Sequence, residues 1–205
     1  MRCWGLNDNG QLGLRHGETI GDNELPWTEN PVSLGSPALV LSVGAWHACV
    51  VLEGGWVRCW GDNGFGQLGL GHTLTIGDDE LPSSEEVVSL GGPATFLSVG
   101  RYHTCAMMAG GSVRCWGQND FGSLGLGHSM RVGDNELPSS VGVVSLNGSA
   151  RALSVGYGHA CALLDGFGLQ CWGDNFNGQL GLGHTNDIGD DELPSSTGPV
   201  LLTPT

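Results

Sequence analysis

Lysine is absent from this sequence of 205 residues, and seven basic residues, all arginine, stand against 21 acidic ones. The formal net charge at pH 7 is -14 with histidine neutral. Nucleic acids and anionic membrane surfaces bind clusters of Lys and Arg. We therefore expect no nucleic-acid partner, chromatin included.

Long apolar runs are lacking as well. None approaches the roughly 18 residues that a membrane span requires, so we expect no membrane insertion. No signal peptide is visible, because the chain opens Met1-Arg2-Cys3-Trp4, already inside a repeated pattern. That absence does not assign a compartment.

Glycine, by contrast, is plentiful: 37 residues without a collagen triplet indicate many tight turns between short strands. The chain is also repetitive, which decides its architecture. A Cys-Trp-Gly tripeptide recurs every 56 residues, beginning at Cys3, Cys59, Cys115 and Cys171. A second cysteine keeps the same interval, at Cys49, Cys105 and Cys161.

Each copy contains four short apolar runs, which we call A to D. Runs A, B and C of one copy are Leu97–Gly100, His103–Met108 and Ser112–Gly117, and run D of the preceding copy is Val87–Leu90. Runs of this length between Gly, Pro and Asp clusters predict strands, and no sustained helical period is present. Four antiparallel strands form one blade of a β-propeller, so the predicted fold is all-β.

The copies predict three and a half blades in a single repeat array over residues 1–205. Runs C and D form a half blade at 1–38, and blades follow at 39–94, 95–150 and 151–205, with the last run D at Val200–Leu202. Cys3 would find its partner on a hairpin before residue 1. We therefore expect an open arc that is a piece of a longer protein, with end faces that favour marginal stability or self-association.

Runs B and C predict a hairpin whose register can be read from the sequence. Pairing Cys49 with Cys59 leaves Glu53-Gly54-Gly55 as a three-residue loop with glycine available for a left-handed position. The same spacing pairs Cys105 with Cys115 around Ala109–Gly111, and Cys161 with Cys171 around Asp165–Phe167.

Cysteines directly opposed on antiparallel strands are close enough for a disulfide. One disulfide per blade would imply an oxidising compartment. In the alternative interpretation the cysteines are small apolar residues packed beneath a tryptophan. Zinc is disfavoured because each blade offers only two thiolates.

The stretches Trp60–Gly71 (WGDNGFGQLGLG), Trp116–Gly127 and Trp172–Gly183, with Leu97–Met108 (LSVGRYHTCAMM), resemble the regulator of chromosome condensation repeat over essentially the whole chain. The resemblance implies a seven-bladed propeller, of which this chain would carry half. The paired cysteines and the insertion Gly77–Ser84 resemble bacterial members. Members of the family include a nucleotide-exchange factor for a nuclear GTPase, a plant ultraviolet-B photoreceptor, modules of ubiquitin ligases and a secreted β-lactamase inhibitor. Their shared theme is a propeller face that grips a protein, although one fold hosts many functions.

Polar residues copied into every blade are expected to be structural, because a residue needed once for chemistry is not repeated. We expect hydrogen bonds between strands or blades from the histidines before run B, which are His47, His103 and His159. The Asn residues after Trp-Gly are expected to hold tight turns, and the GLGH histidines to be exposed. The acidic loops of the Gly77–Pro82 type are expected to be solvated turns without a metal, with calcium as the alternative.

Function is expected where the copies differ. The varying residues lie between runs A and B and between runs C and D, and strand alternation places both sets of loops on one face. Aromatic and arginine side chains on variable loops are typical of a protein-binding hot spot. The candidate partner-binding residues are Trp46, Arg101, Tyr102, Tyr157, Phe65, Phe121 and Phe176. Alternatively, some of these aromatic side chains pack against neighbouring blades.

The sequence therefore predicts a scaffold that binds a protein partner through this face, in the extracellular space or cell envelope, with the cytoplasm as the alternative. A guanine-nucleotide exchange or regulatory factor for a small GTPase is the alternative function, by analogy with the founder of the family. No catalytic residue, cofactor or metal is expected. No nucleophile–base set stands outside the repeat, and no phosphate-cradling glycine motif precedes a helix.

Overall fold

The computed structural model describes residues 1–166 and 168–200. Within them the chain forms three antiparallel sheets of three strands each, in sequence order. The strands are β1 Ala38–Val43, β2 His47–Leu52, β3 Val57–Gly61, β4 Ala94–Val99, β5 His103–Met108, β6 Val113–Gly117, β7 Ala150–Val155, β8 His159–Leu164 and β9 Leu169–Gly173. The 3-10 helices Pro82–Ser84, Pro138–Ser140 and Pro194–Ser196 follow the three sheets.

The predicted hairpin register is confirmed. Cys49 pairs with Cys59 and Val50 with Arg58 across β2 and β3, and the other two sheets repeat the pattern. All three predicted disulfides form, Cys49–Cys59, Cys105–Cys115 and Cys161–Cys171, while Cys3 is free. In the first loop Gly54 and Gly55 have φ of 88° and 80°, as a short hairpin loop requires. Phe167, in the third predicted loop, lies outside the described residues.

Run D does not form the fourth strand that the sequence predicts. Val88 makes one antiparallel bridge with Val57, and the backbone N–H of Val144 and of Val200 donates to Val113 and Leu169 in the same way. The 3-10 helix Pro82–Ser84 precedes run D, and the guanidinium of Arg58 binds the carbonyl oxygens of Pro82 and Glu85. A side chain of the sheet thus satisfies two carbonyl groups in the segment that leads into run D. Residues 201 and 202, at the end of the last predicted run D, lie outside the described residues.

The core lies between the blades and is organised by the repeated tryptophan. Trp60, Trp116 and Trp172 are fully buried. Their indole N–H groups donate to carbonyl oxygens of the preceding copy, those of Gln11 at 3.0 Å, Gln67 at 2.9 Å and Ser123 at 3.1 Å. Each tryptophan therefore joins two blades by apolar burial and by a satisfied polar tip.

The glycines of the Gln-Leu-Gly turn make room for this indole. A Cβ atom on Gly13 would lie 2.9 Å from Nε1 of Trp60, and Gly69 faces Trp116 at 2.8 Å. Both glycines also have φ near 70°, so a larger residue would be excluded on two grounds.

The acidic loops are not merely solvated turns, because they pack across the blade interface. The backbone N–H of Arg15, Gly71 and Gly127 donates to the carbonyls of Gly77, Gly133 and Gly189 at 2.9, 3.0 and 2.9 Å. Serine pairs add a second contact between copies, as in Ser89–Ser139 at 2.9 Å. The insertion that follows each Trp-Gly segment thus serves as part of the scaffold.

The sheets form an open arrangement within the described residues. Leu97 and Leu153 are buried at 1% and 6% exposure, whereas the equivalent Leu41 is 48% exposed. Trp4, which corresponds to the buried tryptophans, is 65% exposed. The side of β1 that faces away from β4 is therefore an apolar, uncovered surface.

Candidate protein-interaction face

The loops between β1 and β2 and after β3, with their counterparts in the other two sheets, lie on one side of the arc. We call this side the loop face; it comprises residues 44–46, 62–66, 100–102, 118–122, 156–158 and 174–178. Within each blade the two loops are joined by a backbone hydrogen bond of 2.9 Å, for example from Asp62 N–H to the Trp46 carbonyl. The loop face therefore presents its variable side chains from paired backbone segments.

Buried asparagines hold the loops after β3, β6 and β9. The Asn63 side chain is fully buried; its Oδ1 accepts from the Leu68 N–H at 3.0 Å, and its Nδ2 donates to the His72 carbonyl at 2.8 Å. Asn7, Asn119 and Asn175 are equally buried and make the same pair of contacts. The predicted structural role of these asparagines is confirmed, and it fixes the position from which Phe65 projects.

Four of the seven candidate binding residues meet in a single stack. The rings of Phe65 and Tyr102 have centroids 4.8 Å apart. The Arg101 guanidinium carbon lies 4.6 Å from the centroid of Tyr102 and 4.6 Å from that of Tyr157. At the other end, the Arg131 guanidinium lies 4.7 Å over Phe65. We call this set the cation–π ladder: Arg131, Phe65, Tyr102, Arg101 and Tyr157.

Phe121 and Phe176 form a second feature of the loop face. They are 49% and 80% exposed and line a shallow pocket together with Asp174 and Asp187. Exposed aromatic walls beside carboxylates suit a cationic side chain of a partner.

Trp46 is not part of the ladder. It is half-buried, and its indole Nε1 is buried without a hydrogen-bond partner among the described residues. A binding role for Trp46 stays a prediction, as does the alternative that it packs against a neighbouring blade.

Sequence reasoning missed Arg131. The equivalent positions in the other copies hold Thr19, Thr75 and Asp187, so this position varies as strongly as those selected. The same criterion, extended beyond the two short loops, would have found both Arg131 and the pocket residue Asp187.

The histidines and acidic loops offer titratable groups with shifted pKa values. Burial lowers the pKa of His47 to about 3 and that of His103 to about 4. Burial, followed by the hydrogen bond with Asp191, raises the pKa of Glu192 to about 7. Carboxylate oxygens of Asp190, Asp191 and Glu192 lie within 4.8 Å of one another, as do those of Asp78–Glu80. The calcium alternative stays a prediction for these loops.

None of the helices in the described part of the chain is long and apolar enough to span a membrane.

Blades that interlock through a repeated tryptophan and present variable loops on one face define a repeat-built β-propeller. The chain belongs to the regulator of chromosome condensation (RCC1) repeat family. A family model of that description matches residues 55–107 and 110–163, more than half of the chain, and a second matches 41–67, 95–123 and 150–179.

Two relatives show the range of proteins that carry this repeat. The ultraviolet-B receptor UVR8 of Arabidopsis thaliana is 32% identical over 91% of this chain and 40% of its own length. The probable E3 ubiquitin-protein ligase HERC6 of Homo sapiens is 32% identical over 98% of this chain and 18% of its own length. The chain thus spans less than half the length of these relatives.

Solved structures confirm the fold. Yeast RCC1 (Prp20), in its complex with Kap60, superposes with a TM-score of 0.71 at 19% identity, covering 98% of this chain and 44% of that one. Human WBSCR16 gives a TM-score of 0.69 at 19% identity, covering 93% of this chain and 46% of that one. At this identity the likeness shows a shared propeller fold and nothing about partners.

Proposed function

We propose that this chain is a protein-interaction module that binds a partner protein through its loop face. The observation that carries the proposal is the cation–π ladder, which gathers variable side chains from all three sheets into one continuous surface. Scaffold residues are the same in every copy, whereas these positions vary between copies, and aromatic and arginine side chains dominate binding hot spots. The relatives named above, a receptor and a ligase, are consistent with an interaction or regulatory role.

The test compares loop-face variants with a matched aromatic on the opposite side. Tyr157→Ala and Phe176→Ala remove side chains that are 66% and 80% exposed on the loop face, and Trp56→Ala removes one that is 58% exposed on the β2–β3 hairpin. Proteins captured by cross-linking on the wild-type chain are quantified for each variant. We expect the loop-face variants to reduce capture of the partner by about tenfold or more, and Trp56→Ala to leave it unchanged.

The proposal is wrong if Trp56→Ala reduces capture as much as the loop-face variants do. Recovery of a small GTPase as the partner, with binding that depends on its nucleotide, would favour the exchange-factor alternative.

We also propose an extracellular or envelope location, supported by the three disulfides, which persist in oxidising compartments. The absence of enzymatic activity is likewise part of the proposal. It is supported by scaffold roles for the repeated histidines and asparagines.

A further inference from the structure

The Arg101 guanidinium contacts two tyrosine rings that come from neighbouring blades. Tyr102, from its own β4–β5 loop, and Tyr157, from the β7–β8 loop of the next blade, each place a ring centroid 4.6 Å from its Cζ. A guanidinium donates hydrogen bonds only in its own plane, along the edges that carry its N–H groups, and two ring contacts restrict how that plane can turn. The stack therefore orients those edges.

No acceptor occupies these edges within the part of the chain that the structure describes. Four other arginines donate to backbone carbonyls: Arg2 to Pro26, Arg15 to Asp79, Arg58 to Pro82 and Glu85, and Arg114 to Pro138 and Val141. An ion pair joins His16 to Glu29 and involves neither arginine of the ladder. Arg101 differs from these four arginines because its N–H groups have no acceptor among the described residues, although the chain contains 21 acidic residues.

We propose that Arg101 binds a side-chain carboxylate of the partner protein, with Tyr102 and Tyr157 as the walls of the site. The inference rests on the proposed function and specifies what the loop face recognises. A carboxylate is planar and accepts two parallel N–H bonds from a guanidinium, which suits an arginine whose N–H groups have no acceptor among the described residues. Stacking also reduces the conformational entropy that the arginine loses on binding.

The charge of the surroundings favours a carboxylate over a phosphate. The chain contains no lysine and its net charge is -14, so a dianion would meet repulsion from most of the surface. Within the ladder, Arg131 lies at the far end, beyond Phe65 and Tyr102, which leaves a single guanidinium between the two tyrosines. Tyr157, at 66% exposure, offers apolar area for a residue beside the bound carboxylate.

The experiment follows the arginine Nε–H signals of the ¹⁵N-labelled full chain by NMR; with seven arginines and no lysine, the spectrum is simple. The Arg101 signal is assigned as the one missing from Arg101→Lys. The probes are the blocked peptide acetyl-Tyr-Glu-Tyr-amide, its Gln analogue and inorganic phosphate, all at one ionic strength. We expect the Glu peptide to shift the Arg101 signal saturably. The affinity of the Gln peptide should be lower by about tenfold or more.

Two variants separate bidentate recognition from net charge. Arg101→Lys keeps the charge but loses the planar N–H edge, so we expect the affinity for the Glu peptide to fall about tenfold. Arg2→Gln removes one positive charge elsewhere and should leave that affinity unchanged. Near-ultraviolet circular dichroism verifies that both variants are folded.

Equal binding of the Glu and Gln peptides, unchanged affinity in Arg101→Lys, or tighter binding of phosphate than of the Glu peptide would each overturn the inference. The outcome is independent of the broader proposal. If Tyr157→Ala abolishes partner capture while the two peptides bind equally, the loop face binds proteins but Arg101 does not select a carboxylate.

Discussion

His47 and His103 occupy the same place in successive blades and are both buried, at 0% and 2% exposure, but they meet different neighbours. His47 Nε2 lies 2.8 Å from Thr104 Oγ1, whose single proton is donated to the Gln67 carbonyl at 3.0 Å. His47 therefore donates from Nε2. At the next interface the residue equivalent to Thr104 is Ala160, and His103 Nε2 has no partner among the described residues.

We predict that Ala160→Thr stabilises the protein. The new hydroxyl would accept from His103 Nε2 and donate to the Ser123 carbonyl, as the Thr104 hydroxyl does with His47 and Gln67 one blade earlier. The free energy of unfolding should rise by about 1 kcal/mol. Urea denaturation of the two proteins measures the difference. Ala160→Val, which has the same shape without the hydroxyl, is the control; equal stability of the two variants would contradict the prediction.

The complementary change removes the hydroxyl of Thr104, one blade earlier. Thr104→Val should cost about 1–3 kcal/mol because it leaves a buried imidazole N–H unpaired.

At the scale of the element, each blade rests on the β-hairpin formed by its second and third strands. The hairpin was predictable to the residue because two cysteines at a fixed separation of 10 constrain its register. Run D was predicted less well. Its apolar pattern resembles a strand, but the Pro82–Ser84 helix directly before it and contacts from Arg58, which is distant in sequence, accompany a single bridge in place of a strand.

The disulfides give the element-scale prediction. We expect one free thiol, that of Cys3, when the protein is unfolded without reductant, and seven after reduction. Removal of one bridge by the double variant Cys105→Ala/Cys115→Ala should lower the free energy of unfolding by about 2–3 kcal/mol, because a loop closure is lost from the unfolded chain. Thiol titration and urea denaturation make these measurements. Seven thiols in the unreduced protein would contradict both the bridges and the proposed oxidising compartment.

At the scale of the whole molecule, the repeated contacts between blades serve stability and the unrepeated ones form the loop face. Indole-to-carbonyl bonds, serine pairs and backbone bonds to a glycine carbonyl of the acidic loop recur at each interface. The cation–π ladder crosses interfaces between blades on the loop face, where the residue types differ from one copy to the next.

The buried histidines make stability depend on pH for the molecule as a whole. The folded pKa values of His47 and His103, about 3 and about 4, lie below the ordinary value of 6.5, so the unfolded chain binds more protons as the pH falls below 6.5. We expect stability to be full above pH 6.5 and to decline towards pH 4, by up to roughly 1.4 kcal/mol per pH unit for each histidine. Glu192, with a folded pKa raised to about 7, acts in the opposite sense between pH 7 and 4.5, but it is partly exposed and water screens its contribution.

Urea denaturation between pH 7.5 and 4.5 measures this decline. His103→Gln should make the curve flatter, whereas His184→Gln, which changes an exposed loop histidine, should not alter it. An unchanged slope in His103→Gln would show that this buried imidazole is not the source.

The sequence by itself determined the repeat, the strand register, which cysteines face each other and the role of residues such as Asn63, because all of these depend on local spacing repeated in every copy. It also identified the variable loops. Only the tertiary structure decided that Arg101 lies between Tyr102 and Tyr157, that Arg131 joins the ladder and that Trp46 does not. These contacts connect residues of different blades, and their geometry depends on how one blade packs on the next, a relation that no spacing within a single copy contains.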